Sequence, residues 1–464
     1  MVSPKEQPPE EKYISMILQG ISIYCRDSSF SSKNSIFAPM KERADLAEVL
    51  SVASEAGHIL LENGAEISRV EDIMARISSY YGVDSGNFFV LSNGIFTTGS
   101  QSKVEKRGTQ AATYANVEFI PIKGIQLSKV VEVNHLSYDI VAGKCSLEQA
   151  RHRLAEIRNA PPKPAWEMAL GYAFGSGGFA AIFGGGIMDC LAACLVGLVL
   201  YLWIHFVSSR YLSKVVGGIT NALIATIAST ICFRAGFGDS LSNIIIGTLM
   251  PLVPGVPFVN GVRDLANADY IAGLTRLTDA LLGFINIAVG VSASFIIDGW
   301  FNGGMIALEG MRVSSETYSL FAQGLCAFIG IVSFAVLFGV PRNRYIISGV
   351  IGAVVWICYL ILIRYASFDA PIAALVAAFL VCILSRYAAV LSKTPGNVFV
   401  ICGIFTLVPG AGLFWCMYYL LSSQFTLAFS TGFTAAVMAL AIVFGIVFGM
   451  ELPQRLFSIV KKRS

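Results

Sequence analysis

The sequence predicts a polytopic α-helical membrane protein, with about ten transmembrane helices in two inverted five-helix repeats behind an amino-terminal cytosolic α/β domain. Three observations carry this reading. Of 464 residues, 55% are hydrophobic and only 14% are charged, where soluble domains carry about 25% charge. The charge is unevenly spread: residues 166–450 hold 21 charged side chains, about 7%, and the other 179 residues hold 42, about 23%. The tetrapeptide LVPG occurs twice, with its prolines, Pro254 and Pro409, 155 residues apart.

Residues 1–43 read as a variable, flexible tail. The polar opening MVSPKEQPPEEKY and the short apolar run after it lack the pattern of a signal peptide, so the soluble part is expected to stay in the cytosol. Residues 44–160 read as the α/β domain. Leu46, Val49, Leu50 and Ala53, then Val70, Ile73, Met74 and Ile77, recur at helical spacing. FFVLSNGIFTTG and NVEFIPIKG are β-rich runs bounded by glycine. SLEQARHRLAEI closes the domain, with Ser146 and Gln149 in capping-box spacing.

Residues 161–308 and 309–464 are the two expected repeats. A bilayer core needs about 20 apolar residues per helix. Windows of that length fall near 166–184, 187–208, 215–235, 240–258, 280–300, 317–339, 345–363, 369–391, 397–421 and 428–450. With the amino terminus inside, the inner loops hold 16 Lys and Arg and the outer loops hold 3, namely Arg234, Arg312 and Arg364. That is the separation expected of a plasma-membrane protein with both termini cytoplasmic. Each LVPG falls in the fourth helix of its half. Five helices in tandem invert the second half, and paired Pro/Gly breaks at such positions are the transporter pattern. Pro254, Gly255, Pro409 and Gly410 are therefore site candidates.

The stretch after the first LVPG, VPFVNGVRDLANADYIAGLTRLTDALL, is the densest polar cluster of the membrane part. It is read as a loop just inside or below the bilayer. Ionisable groups at membrane depth are costly and are functional candidates by default; the alternative is an ordinary cytosolic amphipathic loop whose arginines set topology. Function is favoured for Asp264 and Asn260, with Arg263 and Asp279 as further candidates. Arg276 shares a face with Asp269. Asp189, Asp239, Asp298 and Asp369 fall at helix ends, where interfacial water accounts for them. Glycine runs at Gly171–Gly178 and Gly184–Gly186, with Gly445 and Gly449, read as close helix contacts.

Forty-four glycines, sixteen prolines and a net charge of +3 exclude a collagen, a disordered chain and a nucleic-acid binder that relies on overall positive charge. No GxxxxGK[ST] loop and no HExxH motif occurs, so neither ATP-driven transport nor catalysis is expected. Eight of the ten cysteines lie in apolar windows and read as small hydrophobes, not as metal ligands. No cofactor is expected.

LLENGAEISRVEDIM, NGIFTTG and VNHLSYDIVAGKCSLEQARHRL resemble the amino-terminal half of the bacterial threonine/serine exporter family. PLVPGVPFVNGVRDLANADYIAGLTRLTDALL resembles that family's stretch after its fourth helix, and TLVPGAGLFWCMYYLL resembles its carboxy-terminal half. The likeness spans about residues 44–450, as in the form with both halves fused. Relatives that split the halves into two subunits are thought to export dicarboxylates such as succinate. The resemblance implies proton-driven export of a small polar metabolite. It adds the motif Asn63, Gly64, Glu66, Arg69 and Glu71 to the candidates, beside Asn260, Gly261, Asp264 and Asp279.

Threonine or serine would want a carboxylate for its ammonium and donors for its carboxylate; a dicarboxylate would want Arg263, Arg276 or Arg234. Either cargo fits this inventory. The competing class is a membrane-anchored sensor or scaffold, for which ten spans and a paired helix break are excessive. The expected partners are a small-molecule substrate, protons, the lipid bilayer and, in a homo-oligomer, further copies of the chain.

Overall fold

The computed structural model describes residues 45–83, 86–105, 108–121, 124–302, 318–453 and 455–458. The tail expected over 1–43 and the repeat boundary expected at 308/309 lie outside the described residues. Residues Ala44–Ser464 form one compact unit.

The described residues begin with α1 (Leu46–Glu62) and α2 (Ile67–Tyr80), followed by β1 (Asn87–Leu91), β2 (Gly94–Glu105) and β3 (Gly108–Phe119), then α3 (Leu127–Val141) and α4 (Leu147–Asn159). The spacing read from the sequence is the packing seen: Val49, Leu50, Ala53, Val70, Ile73, Met74 and Ile77 are all fully buried. The strands form an antiparallel meander, β1-β2-β3, with Phe89 opposite Phe96 and Phe96 opposite Val117. Ser146 and Gln149 make both hydrogen bonds of the capping box at the start of α4.

The apolar part comprises α5 (Ala165–Ile182), α6 (Ile187–Trp203), α7 (Lys214–Arg234), α8 (Leu241–Leu249), α9 (Gly255–Ala266), α10 (Tyr270–Asn302), α11 (Leu320–Leu337), α12 (Tyr345–Arg364), α13 (Ala370–Ser392), α14 (Gly396–Ile404), α15 (Gly410–Leu421) and α16 (Phe425–Met450). Among the described residues seven helices are long and apolar enough to cross a membrane, or eight if the α8–α9 pair, bent by 56°, is one span. This is a polytopic membrane protein. α5 has the length of a span, but Gly171, Gly175, Ser176, Gly177 and Gly178 dilute its hydropathy.

The breaks expected at the two LVPG motifs are present, and the loop expected between the first of them and α10 changes. The window 240–258 is not one helix: α8 runs through a short 3₁₀ turn, Met250–Leu252, and the chain restarts as α9 at Gly255. The polar stretch read as a loop is therefore helix α9 and the start of α10, which begins ten residues before its window. The window 397–421 is likewise split into α14 and α15.

The two breaks match closely. α8 and α14 are nine residues each, α9 and α15 twelve each, and α5 and α11 eighteen each, every pair displaced by 155 residues. Pro254 sits at φ −77°, ψ 53° and Pro409 at φ −77°, ψ 48°. In both, the following glycine N–H donates back to the valine carbonyl, at 2.8 Å for Gly255 and 2.7 Å for Gly410. This is the inverse γ-turn. The breaks pack on each other: a Cβ at Gly255 would stand 2.4 Å from the Phe405 ring, and one at Gly410 would stand 3.0 Å from Met250 Sδ.

Asp189 departs from its expected interfacial setting. It is 1% exposed and accepts from the Gly186, Asp239 and Ser240 N–H groups at 2.8, 2.6 and 2.8 Å, fixing the entry to α8. The residue 155 positions later, Arg344, donates to the Ser392 carbonyl and Thr394 Oγ1 at the entry to α14. One half anchors its broken helix with an acceptor and the other with a donor.

Candidate functional site

Helical spacing decides what α9 presents. Asn260, Arg263, Asp264 and Asn267 recur at i, i+3, i+4 and i+7, which is one face. That face meets the turn between α1 and α2. The turn itself is set by sequence: Asn63 Nδ2 donates to the Ile59 carbonyl at 2.7 Å, and Gly64 takes φ +86°, a left-handed conformation that suits glycine. Glu66 then stands at the N-cap position, immediately before α2.

The two motifs selected from opposite ends of the first half thus form one buried cluster. Asn260 Nδ2 donates to the Gly64 carbonyl at 2.9 Å, and Arg276 Nη2 donates to the Ala65 carbonyl at 2.9 Å. Arg276 Nη1 pairs with Asp264 Oδ2 at 2.8 Å, and Arg263 Nη2 pairs with Glu66 Oε2 at 2.8 Å. Arg263 Nη1 also donates to Asn397 Oδ1 at the start of α14, which ties the second broken helix to the first. Arg69 Nε lies 3.6 Å from Glu66 Oε1, and Asn267 Nδ2 donates to Ser68 Oγ at 3.3 Å. Asp264 is fully buried, and Asn260, Glu66, Arg263 and Arg276 are nearly so. These contacts are ion pairs by distance: both Asp264 oxygens, Glu66 Oε2, Arg276 Nη1 and Arg263 Nε are buried without a hydrogen-bond partner among the described residues, so charge attraction is what offsets their desolvation.

Not every candidate joins the cluster. Asp279 forms a half-exposed pair with Lys214 at 3.2 Å. Glu71 accepts from the Val90 N–H at 3.2 Å and so holds β1 to α2. Burial pushes its carboxyl above the usual range, and that N–H partly offsets the rise. Asn63 caps its own helix and reaches no charge among the described residues. Burial also raises the carboxyl of Asp269, in the α9–α10 turn, against the pull of Arg276.

Three participants were missed or underweighted. Arg276 joins the centre because α10 starts early; its expected partner, Asp269, yields to Asp264. Asn397 and the Ala65 carbonyl carried no local signal beyond the Pro395-Gly396 that opens α14. Both breaks also border a cavity of about 180 Å³ lined by Leu249, Met250, Val253, Ala288, Gly410 and Phe414 among others. Its wall is almost wholly apolar. A zwitterion or a dicarboxylate finds its polar partners in the cluster, not there. No group of three or more His, Cys, Asp or Glu among the described residues could hold a metal ion.

The turn leads to a first prediction. Gly64→Ala puts a Cβ into a left-handed position, 3.4 Å from Ile125 Cγ1. It should cost about 1–2 kcal/mol, with Gly64→Asn costing less, read as the thermal unfolding midpoint of each variant.

A family model described as "Putative threonine/serine exporter" matches residues 51–297, and one described as "Threonine/Serine exporter, ThrE" matches residues 323–451. The chain is 25% identical over 400 residues to the "Threonine/serine exporter" of Corynebacterium glutamicum, covering 84% of this chain and 79% of that one. It is 25% identical over 300 residues to the "Probable threonine/serine exporter" of Mycobacterium tuberculosis, covering 62% of this chain and 55% of that one. It is 22% identical over 252 residues to the "Probable succinate transporter subunit YjjP" of Klebsiella aerogenes, covering 54% of this chain and 94% of that one. No solved structure matches.

Proposed function

This chain belongs to the threonine/serine exporter family, and from that premise we propose that it is a secondary active exporter of threonine and serine, driven by the proton motive force as an antiporter. Ten segments cross the cell membrane: the seven long helices, α5, and the two broken pairs α8–α9 and α14–α15. The two halves are inverted repeats, because each contributes five crossings. The amino-terminal α/β domain lies in the cytosol with both termini.

The placement of that domain is supported by where it touches the apolar part. The Leu127 and Ser128 N–H groups donate to the Phe338 and Gly339 carbonyls. His135 Nε2 donates to the Lys393 carbonyl at 2.8 Å, and the α1–α2 turn meets α9 and α10. All of these are ends assigned to the basic, inner side.

The observation that carries the substrate reading is the buried ionic cluster on one arm of a broken helix, tied to the other broken helix through Arg263 and Asn397. It offers a zwitterion what it needs: the Arg263 guanidinium for its carboxylate and the Asp264 carboxylate for its ammonium. Asp264 doubles as the proton carrier. A dicarboxylate is the second reading, supported by two arginines in one cluster and by the likeness to a relative named as a succinate transporter subunit.

The test is ligand stabilisation of the purified protein. A ligand at one hundred times its Kd stabilises by about 2.7 kcal/mol. Threonine and serine are expected to raise the thermal midpoint, and Asp264→Asn to remove the rise. A rise with succinate alone would transfer the assignment to dicarboxylates, and no rise with any of the three would count against the site.

A further inference from the structure

We propose that the Glu66 carboxylate is a tethered stand-in for the cargo's carboxylate on Arg263, and that arriving cargo displaces it onto Arg69. The inference rests on the reading that cargo carrying a carboxylate passes this cluster, and it adds how the inner entrance is held shut.

Glu66 stands at the residue that precedes α2, where Ser, Thr, Asp or Asn would cap the helix with its side chain. It makes no such cap. Its carboxylate is turned instead toward Arg263, a residue 197 positions away in sequence, and closes on it at 2.8 Å. The rest of the turn is held through main-chain carbonyls, those of Gly64 and Ala65. Glu66 is therefore the one side chain of the turn that brings a carboxylate to an arginine of α9. This is the chemistry that a cargo carboxylate would bring, and it occupies the same nitrogen.

The exchange has a destination. Arg69 lies one helical turn further on, with its Nε 3.6 Å from the other Glu66 oxygen, and its side chain is 26% exposed where Glu66 is 5% exposed. A small rotation of the Glu66 side chain moves its carboxylate from the buried arginine to the half-exposed one, so it is never left without a cation. Arg263 has no such alternative among the described residues. Its Nη1 is held by the neutral amide of Asn397, and its Nε is buried without a hydrogen-bond partner. Withdrawing Glu66 without a replacement would leave a buried guanidinium uncompensated, which is strongly unfavourable.

The Glu66 carboxylate can therefore leave Arg263 only when another carboxylate takes its place, and its departure loosens a turn otherwise held by the Gly64 and Ala65 carbonyls. The entrance opens to an amino acid or a dicarboxylate and stays closed to an amine or amide lacking that group. Empty opening, which would leak protons, is suppressed by the same asymmetry.

The kinetic test uses the full chain in liposomes, with cargo offered from the soluble-domain side. Glu66→Gln removes the competitor and is expected to lower KM several-fold. Arg69→Gln removes the destination and is expected to raise it. A purely structural salt bridge would instead lower the maximal rate in both variants with KM unmoved, and that result would overturn the proposal. The wild-type chain supplies a second measurement that does not depend on any variant folding. Threonine or succinate should speed hydrogen exchange at the amides of residues 64–68, and threonine amide should not. Acid and amide acting alike, or neither acting while export proceeds, would overturn displacement and leave the exporter reading standing. Absence of export for threonine, serine and succinate alike would instead remove the reading on which it rests.

Discussion

Arg276→Gln is expected to destabilise the protein by about 3–5 kcal/mol, the cost of leaving a buried charge without its partner. Asp264 is fully buried, and Arg276 is the cation paired with it at 2.8 Å. The same substitution withdraws the donor to the Ala65 carbonyl and so loosens the α1–α2 turn. Asp264→Asn should cost less, because Arg276 keeps Ala65. The double variant Asp264→Asn, Arg276→Gln should recover most of the loss, because two neutral amides leave no buried charge uncompensated. Thermal unfolding of the four proteins reads the coupling directly. Transport should not follow stability: gradient-driven flux is expected to be lost in both single variants and to stay lost in the double. Flux returning with stability would mean that the pair is only a structural clamp.

Gly255→Ala should produce the second large effect. A Cβ there meets Phe405 Cζ at 2.4 Å and Cε2 at 2.7 Å, on an aromatic ring packed against Phe334 and Phe338. With no slack in that stack, the two breaks must move apart. Overpacking of this kind costs about 1–3 kcal/mol. If the two halves move relative to each other during transport, flux should fall further than stability alone explains, because the two breaks pack on each other here. Phe405→Leu added to Gly255→Ala should restore both in part. Gly410→Ala is the internal control. Its Cβ would meet the flexible Sδ of Met250 at 3.0 Å, and it should retain most of the flux. Equal losses at the two glycines would remove the special role of the Gly255–Phe405 contact.

Local features of the molecule were legible because they are local in sequence. The apolar periodicity of α1 and α2, the capping box at Ser146 and the paired LVPG breaks each depend on residues within one or two turns of each other. The offset of 155 residues, read from two tetrapeptides, holds for helix lengths on both sides of the breaks. The cluster was legible only as two separate motifs. Nothing in NGAEISR or in NGVRDLAN signals that Glu66 closes on Arg263, since 197 residues separate them.

The reading of α9 as a loop failed for a related reason. NGVRDLANAD is too polar to look like a buried helix when its partners are unknown. Its polar face is satisfied by the main chain of the α1–α2 turn, which no periodicity analysis includes. Asp189 was misread in the same way, because its three N–H partners come from the entries to α6 and α8 and not from water.

The proposed function has this chain move a small carboxylate-bearing metabolite across a membrane through the cluster, in exchange for protons. Purified protein in liposomes loaded with labelled threonine, serine or succinate, with the outside made acidic, measures that directly. Efflux of threonine or serine is expected, collapsing with the pH gradient and lost in Asp264→Asn. Efflux of none of the three, or efflux indifferent to the gradient, would contradict it.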